Sequence, residues 1–190
     1  MQFVATRLRL PDVMIGTPRR FADARGYFME TYQADRYREL GVAADVLQDT
    51  EAGSSRAGTI RGLHFQKPPH AQAKLVRVLR GAIFDVAVDI RAGSPTFGQW
   101  AGARLTAAAG EEIWVPRGFA HGYCTLEDDT VVAYKCDSPY APDAEGGIHF
   151  ADPALAVEWP VNRDRAIVSG KDAALPPLAA IGAPFPAGAP

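Results

Sequence analysis

Little in this sequence belongs to a membrane, secreted or nucleic-acid-binding protein. Only two cysteines occur, Cys124 and Cys136, and both sit in apolar, strand-like stretches. They fit buried reduced thiols better than a disulfide framework or a metal site. Neither sign of charge dominates: 20 lysines and arginines stand against 22 aspartates and glutamates. No broad field draws nucleic acid or an anionic membrane, so an anionic ligand must be met by individually placed residues. No run approaches the roughly 20 apolar residues of a membrane span, and the opening Met1–Leu10 has no apolar core followed by a small-residue cleavage site. A cytoplasmic chain with no nucleic-acid or membrane partner is therefore expected. Internal repeats and linkers are also missing, so residues 1–190 are expected to form one domain able to bury a sizeable core. The Pro/Ala/Gly-rich end, 176–190, is expected to be irregular.

Long helices are scarce too. Pro11 and Pro18 break Leu8–Phe21 into short extended pieces, and the only well-formed helical stretch is Gln33–Leu40, stopped by Gly41. Asp23 to Gly26 reads as a turn into a strand, with Arg25 and Glu30 nearby. From Leu75 to Arg91 two strands meet near Gly81. The second alternates Phe84, Val86, Val88 and Ile90 on one face with Asp85 and Asp89 on the other, a period of two that no helix produces. Trp100–Leu105, the stretch before Pro116, the stretch carrying His121, and Thr130–Cys136 continue the series. Strands recurring about every ten residues indicate an all-β sandwich or barrel. Gln48–Ser55, Glu145–Gly147 and Ser169–Asp172 read as polar loops. The core of the fold is expected at about 45–140.

Two stretches carry chemistry. In Gly58-Thr59-Ile60-Arg61-Gly62-Leu63-His64-Phe65-Gln66, alternation sends Gly62, His64 and Gln66 to one face and Leu63 and Phe65 to the other. His64 is the group there able to move a proton near neutral pH. In Gly110 to Tyr123, Pro116-Arg117-Gly118 precedes His121, a spacing that resembles the second cupin motif and implies a cupin-like jelly-roll barrel with a few short helices. Metal-dependent cupins carry His-x-His and a nearby glutamate. Here Gln66 stands at the second position, no glutamate lies near Pro69 and His70, and the chain has four histidines in all, the others being His121 and His149. A neutral amide is a poor transition-metal ligand, so no metal and no cofactor is expected. What remains is His64 as base, Tyr134 as acid, Lys74 as a fixed cation, and arginines for an anion. That set suits proton abstraction beside a carbonyl, with a cation meeting the enolate and reprotonation on the other face giving epimerisation.

Taken in order, Arg25-Gly26-Tyr27-Phe28 with Glu30, Arg61-Gly62-Leu63-His64-Phe65-Gln66, Gln72-Ala73-Lys74-Leu75-Val76, Asp85-Val86-Ala87-Val88-Asp89-Ile90-Arg91, Ser94-Pro95-Thr96-Phe97-Gly98, Pro116-Arg117-Gly118-Phe119-Ala120-His121-Gly122, Tyr134-Lys135-Cys136 and Ser169-Gly170-Lys171-Asp172 resemble the dTDP-4-dehydrorhamnose 3,5-epimerase family. The resemblance spans Arg19 to Leu178. It implies a homodimeric, metal-free jelly roll that epimerises carbons 3 and 5 of dTDP-4-dehydro-6-deoxyglucose, giving dTDP-4-dehydro-rhamnose for dTDP-rhamnose biosynthesis. Carried over, it makes His64 the base paired with Asp172, Lys74 the enolate stabiliser and Tyr134 the acid. It also sets Arg25, Glu30, Gln48, Arg61, His121, Glu145 and Lys171 around sugar and diphosphate, and Tyr140 against the nucleotide base. Cations suit diphosphate oxygens, and an aromatic face suits a pyrimidine. One segment departs: the family reads Gln-Asp-Asn where this chain has Gln48-Asp49-Thr50, and Glu51, unfavourable beside a diphosphate, is expected either to turn away or to read a different sugar or base. The departure leaves two alternatives, a 3- or 5-epimerase and an epimerase of another nucleotide-linked 4-keto sugar. A non-catalytic carbohydrate-binding cupin would have lost the base or its partner, and this chain keeps both.

Overall fold

Alternating side chains, repeated over short segments, give a computed structural model that is all-β and describes residues 3–42 and 45–186. The strands are β1 (Val4–Arg7), β2 (Met14–Thr17), β3 (Arg20–Asp23), β4 (Gly26–Met29), β5 (Gln48–Ser54), β6 (Ile60–Gln66), β7 (Lys74–Arg80), β8 (Ala82–Asp89), β9 (Trp100–Thr106), β10 (Glu112–Val115), β11 (Phe119–Thr125), β12 (Thr130–Cys136) and β13 (Glu145–Gly147). Helix α1 (Ala34–Glu39) and the single turn α2 (Gly170–Ala173) complete the regular structure, apart from brief 3₁₀ turns. A six-stranded sheet runs β1-β2-β10-β7-β12-β5, a five-stranded sheet runs β13-β6-β11-β8-β9, and β3-β4 form a separate hairpin. All named strand pairs are antiparallel. From β5 to β8 the chain changes sheet at every strand, the cupin-like jelly-roll arrangement expected from the sequence.

The main core fills the space between the sheets. Val76, Val78, Ile113 and Val132 from one sheet meet Ile83, Leu105, Phe119 and Tyr123 from the other. A second cluster lies on the far side of the five-stranded sheet, where Phe65, Val86, Val88 and Ile90 are covered by Ile148, Leu155 and Phe185. Both faces of β8 are thus dry, so its aspartates need partners. Asp89 accepts from Arg91, Ser94 and Thr96. Burial alone would raise its carboxyl, yet these bonds bring it down to about 2. The Asp85–Arg91 and Ser94–Gly98 motifs thus include a structural clamp at the end of β8.

Three segments read as loops are ordered differently. Gln48–Ser54 is an edge strand paired along its length with β12, polar because its inward side faces a wet cavity and its outward side faces water. Glu145–Gly147 adds a short strand to β6. Ser169 caps α2, its hydroxyl accepting the Asp172 N–H at 3.0 Å, so the charged segment begins a helical turn. The expected irregular end is partly anchored: Arg91 and Phe185 form an isolated bridge, and Phe185 is buried. Positions 187–190 of that end lie outside the described residues. The two thiols are free and buried.

Helix α1 matches the predicted stretch, with Gln33 as its cap. It packs on the outer face of the six-stranded sheet through Tyr37, which sits with Met14, Val42 and Leu75. The Tyr37 hydroxyl donates to Glu112 at 2.7 Å, and Arg77 lies 3.9 Å from the same carboxylate. Glu112 is 1% exposed. Burial pushes its carboxyl up to about 7, with Tyr37 and Arg77 restraining the rise. A carboxyl raised in the fold stabilises fully below its unfolded value, and that contribution is lost as pH climbs through about 7. At about 1.36 kcal/mol per unit, the loss amounts to about 3 kcal/mol. Urea unfolding of the parent and Glu112→Gln at pH 5 and pH 8 should therefore show the variant gaining about 2–3 kcal/mol relative to the parent at the higher pH. A difference independent of pH would mean that Glu112 titrates in the fold as it does in the unfolded chain.

Candidate active site

Between the sheets, at one end, lies a cavity of about 650 Å³. Its first wall is made by β6 and β11, and a register slip decides which side chains reach it. His121 pairs with His64 and Tyr123 with Arg61, so three steps along β6 oppose two along β11. The extra residue shifts the phase of alternation, and Arg61 and His64, three apart, both line the cavity. Gly62 makes this possible. A Cβ there would lie 2.5 Å from the Gly122 Cα, on a backbone with φ +133°. Strict alternation put Gly62, His64 and Gln66 on one functional face. Gln66 instead braces the loops, donating to the His70 carbonyl at 2.8 Å and accepting from Ala141 at 2.8 Å.

Asp172 reaches the same wall from α2. Its Oδ1 lies 2.8 Å from His64 Nε2 and its Oδ2 accepts the Gly62 N–H at 3.2 Å. Burial would raise this carboxyl, but the His64 and Gly62 contacts hold it below the ordinary carboxylate value. A fixed anion at Nε2 orients the ring and leaves Nδ1 as the nitrogen able to take up a proton. Deeper in, His121 is held by Asp85, 2.9 Å from Nε2, both residues being buried.

The facing wall comes from the six-stranded sheet. Lys74 on β7 is paired in register with Cys136 on β12, and Tyr134 and Cys136 both reach the cavity. Burial lowers the Lys74 ammonium, with Cys136, Asp85 and Glu145 opposing. Burial likewise holds the Tyr134 phenol well above its ordinary value, the neighbouring Tyr123 adding to the effect. The Tyr134 ring stands edge-on to His121, 6.2 Å between centroids. On β5, Gln48, Thr50 and Ala52 line this cavity, whereas Asp49 and Glu51 line a smaller one on the outer face of the sheet. Glu51 does turn away.

A polar network forms the mouth. Gln48 Oε1 accepts the Tyr140 N–H at 2.9 Å, and the Tyr140 hydroxyl donates to Glu145 at 2.8 Å. Lys171 donates to the same carboxylate at 2.7 Å. Burial would raise the Glu145 carboxyl, but these two donors hold it below its ordinary value. Tyr140 remains 55% exposed, a ring face open to a ligand.

The fold thus gathers His64, Asp172, Lys74, Tyr134, Arg61, His121, Gln48, Tyr140 and Lys171 around one cavity, with Glu145 at its rim. Arg25 and Glu30 are not among them. Arg25 sits at the tip of the β3–β4 hairpin and pairs with Asp23 at 2.6 Å, and Glu30 pairs with Arg36 at 2.5 Å. Both belong to the segment outside the two main sheets, so a motif contiguous in sequence does not reach this chain's own cavity. Asp85, Thr50, Cys136 and Tyr123 are given no site role by the sequence. Asp85 carried a signal as the polar face of an otherwise apolar strand; Tyr123 was hidden in an apolar run. Among the described residues, no three His, Cys, Asp or Glu side chains stand together so as to hold a metal ion. The arrangement provides an imidazole backed by a carboxylate on one wall, and a phenol and an ammonium on the other.

Comparison with known proteins shows the family and the fold. The profile described as dTDP-4-dehydrorhamnose 3,5-epimerase matches residues 7–180. The chain is 46% identical to the dTDP-4-dehydrorhamnose 3,5-epimerase of Sinorhizobium fredii, over 90% of this chain and 87% of that one. A crystal structure of dTDP-6-deoxy-D-glucose-3,5-epimerase from Legionella pneumophila, in complex with dTDP-4-keto-L-rhamnose, superposes with a TM-score of 0.90 at 43% identity, covering 95% of each chain. A dTDP-4-dehydrorhamnose 3-epimerase of Streptomyces niveus is 40% identical over 76% of this chain and 70% of its own.

The Asp172–His64 contact has a measurable signature. A depressed carboxyl favours the fold above its unfolded value and loses that contribution as pH falls through the depressed one. In ¹³C NMR titration, Asp172 should ionise below an ordinary aspartate in the parent and at distinctly higher pH in His64→Ala, where burial persists without the imidazole. An unchanged titration would show that His64 does not hold the carboxylate.

Proposed function

The chain belongs to the dTDP-4-dehydrorhamnose 3,5-epimerase family, and from that premise we propose that it epimerises dTDP-4-dehydro-6-deoxyglucose at carbons 3 and 5. The product is dTDP-4-dehydro-rhamnose, on the route to dTDP-rhamnose. Of all the observations, the one that carries this reading is the opposition of His64 with Asp172 to Tyr134 and Lys74 across one cavity. Inversion requires a proton to leave one face of a carbon and return to the other, and groups on facing sheets meet that requirement without moving the sugar. His64 removes the proton beside the 4-keto group. Lys74 meets the negative charge that develops on the keto oxygen, and Tyr134 returns a proton from the opposite side. Positioned proton transfer contributes about 10²–10⁴ in rate and one donor to the developing oxyanion about 10²–10³. The same pair then acts at the second carbon, both positions being acidified by the same ketone. No step in this scheme calls on a metal or organic cofactor.

Arg61 and Lys171 are assigned to the diphosphate, Gln48, His121 and Glu145 to sugar and phosphate hydroxyls, and Tyr140 to the pyrimidine. Arg25 and Glu30 fit the reading in a homodimer, in which the β3–β4 hairpin of one copy reaches the cavity of the other. Support comes from the exposure of Phe21, Tyr27 and Phe28 along that hairpin, at 37%, 59% and 66%. Apolar surface of this kind marks interaction sites. The cytoplasm, where nucleotide sugars are made and used, is the proposed location. No helix among the described residues is long and apolar enough to cross a membrane.

A second reading, inversion at one carbon, is favoured by Thr50 on β5 at the position where the family pattern has asparagine, and by the likeness to a 3-epimerase. Product analysis separates the two. Incubation with dTDP-4-dehydro-6-deoxyglucose, borohydride reduction and sugar analysis should give a rhamno-configured product, at a rate that a chelator does not change. A sugar inverted at one carbon would establish the second reading, an unchanged gluco-configured sugar would overturn both, and activity lost to chelator and restored by metal would overturn the metal-free scheme.

A further inference from the structure

The Tyr123 ring packs in the core between the sheets, a place a phenylalanine would fill, yet it carries a hydroxyl. Tyr123 is 1% exposed, and its hydroxyl has no hydrogen-bond partner among the described residues. Buried tyrosine hydroxyls ordinarily find partners. Its surroundings are polar in one direction only. The ring lies 6.4 Å from that of Tyr134, centroid to centroid. Burial raises the Tyr123 phenol, and the Tyr134 hydroxyl, the Arg61 charge and the Ser54 hydroxyl oppose the rise, although neither hydroxyl meets it in hydrogen-bond geometry. Behind Ser54 stands Arg61, donating from Nε to the Ser54 Oγ at 3.1 Å.

Donor direction along this row is fixed at one end. A guanidinium has no acceptor, so Ser54 receives from Arg61 and keeps its own proton to give. Tyr123 can receive from Ser54 and give to Tyr134. The row therefore runs from a cation at the cavity wall to the phenol proposed above to deliver protons. We propose that Tyr123, backed by Ser54, is a positioning residue that stabilises Tyr134 once it has given up its proton and reloads it for the second inversion. This rests on the role assigned to Tyr134 under the proposed function. The need is physical: inversion at two carbons empties the phenol twice, and a phenolate on this partly buried wall is disfavoured unless a donor faces it. Protons balance along the row. The Tyr123 O–H breaks as the Tyr134 O–H forms, the Ser54 proton passes to Tyr123, and a water gives a proton to Ser54, the hydroxide so left taking up the proton that His64 removed from the sugar. No oxidant or other co-reactant takes part.

Tyr123→Phe removes the hydroxyl and keeps the ring. With dTDP-4-dehydro-6-deoxyglucose, the variant should hold KM within about twofold while kcat falls about 10- to 100-fold. Singly inverted product should accumulate, because the second inversion needs the reloaded phenol. Unchanged kcat and unchanged product ratio would overturn the proposal, and so would a loss confined to KM. A ligand-free measurement separates this from failure of the functional reading: with ¹³Cζ-tyrosine labelling, the Tyr134 resonance should move in Tyr123→Phe. If the parent does not turn over the substrate but that resonance moves, the reaction is misassigned and the coupling of the two hydroxyls stands. An unmoved resonance removes the coupling whatever the substrate. Ser54→Ala provides the same two readouts should Tyr123→Phe fail to fold, and an Ala variant indistinguishable from the parent in both would overturn the proposal.

Discussion

A single hydrogen bond, 2.8 Å between His64 Nε2 and Asp172 Oδ1, joins residues 108 positions apart, and much of the structure can be read as what that contact requires. Asp172 is delivered by a helical turn too short to persist alone, so it depends on the Ser169 cap and on the Gly62 N–H that holds its second oxygen. Gly62 in turn must approach Gly122 more closely than any side chain allows. The same glycine accommodates the slip in β6 that turns Arg61 and His64 to one side. Backbone geometry, a helix cap and a buried carboxylate thus converge on one imidazole.

The two-sheet architecture gives that imidazole something to work against. Strands that change sheet from β5 to β8 bring residues close in sequence to opposite walls: His64 belongs to one sheet and Lys74, ten residues later, to the other. Burial at the cavity floor pushes Lys74 down and Tyr134 up. Both shifts arise because burial disfavours charge, and the phenol accordingly retains its proton until an acceptor of matched strength arrives. Apolar clusters on the outer face of each sheet back both walls with packed side chains.

Much of this was legible in the amino acids. The period-two pattern from Phe84 to Ile90 announced β8, and the Pro116-x-Gly118 turn before His121 announced the second site strand. His64, Lys74, Tyr134 and Asp172 were named from residue chemistry and family resemblance, and they face one cavity. What was missed follows from local rules that tertiary context overrides. Gln48–Ser54 looked like a loop because an edge strand with a wet face on each side has no apolar alternation to show. Gln66 looked functional because a strict period of two does not foresee a slip at Gly62. Arg25 and Glu30, recognised by motif, lie on a hairpin outside the chain's own cavity, which sequence adjacency cannot reveal. Tyr123 was hidden because an aromatic in an apolar strand reads as core, and its ring is core; only its buried, unpartnered hydroxyl sets it apart.

The central claim is that abstraction and return of the proton come from opposite walls, His64 on one and Tyr134 on the other. Proton NMR of Tyr134→Phe with dTDP-4-dehydro-6-deoxyglucose in deuterated water tests it most directly. With His64 intact and the facing acid removed, the signals at carbons 3 and 5 should still fade by exchange while net inversion at one or both carbons stops. Inversion that continues at the parent rate, or exchange that vanishes together with inversion, would contradict the division of labour between the two walls.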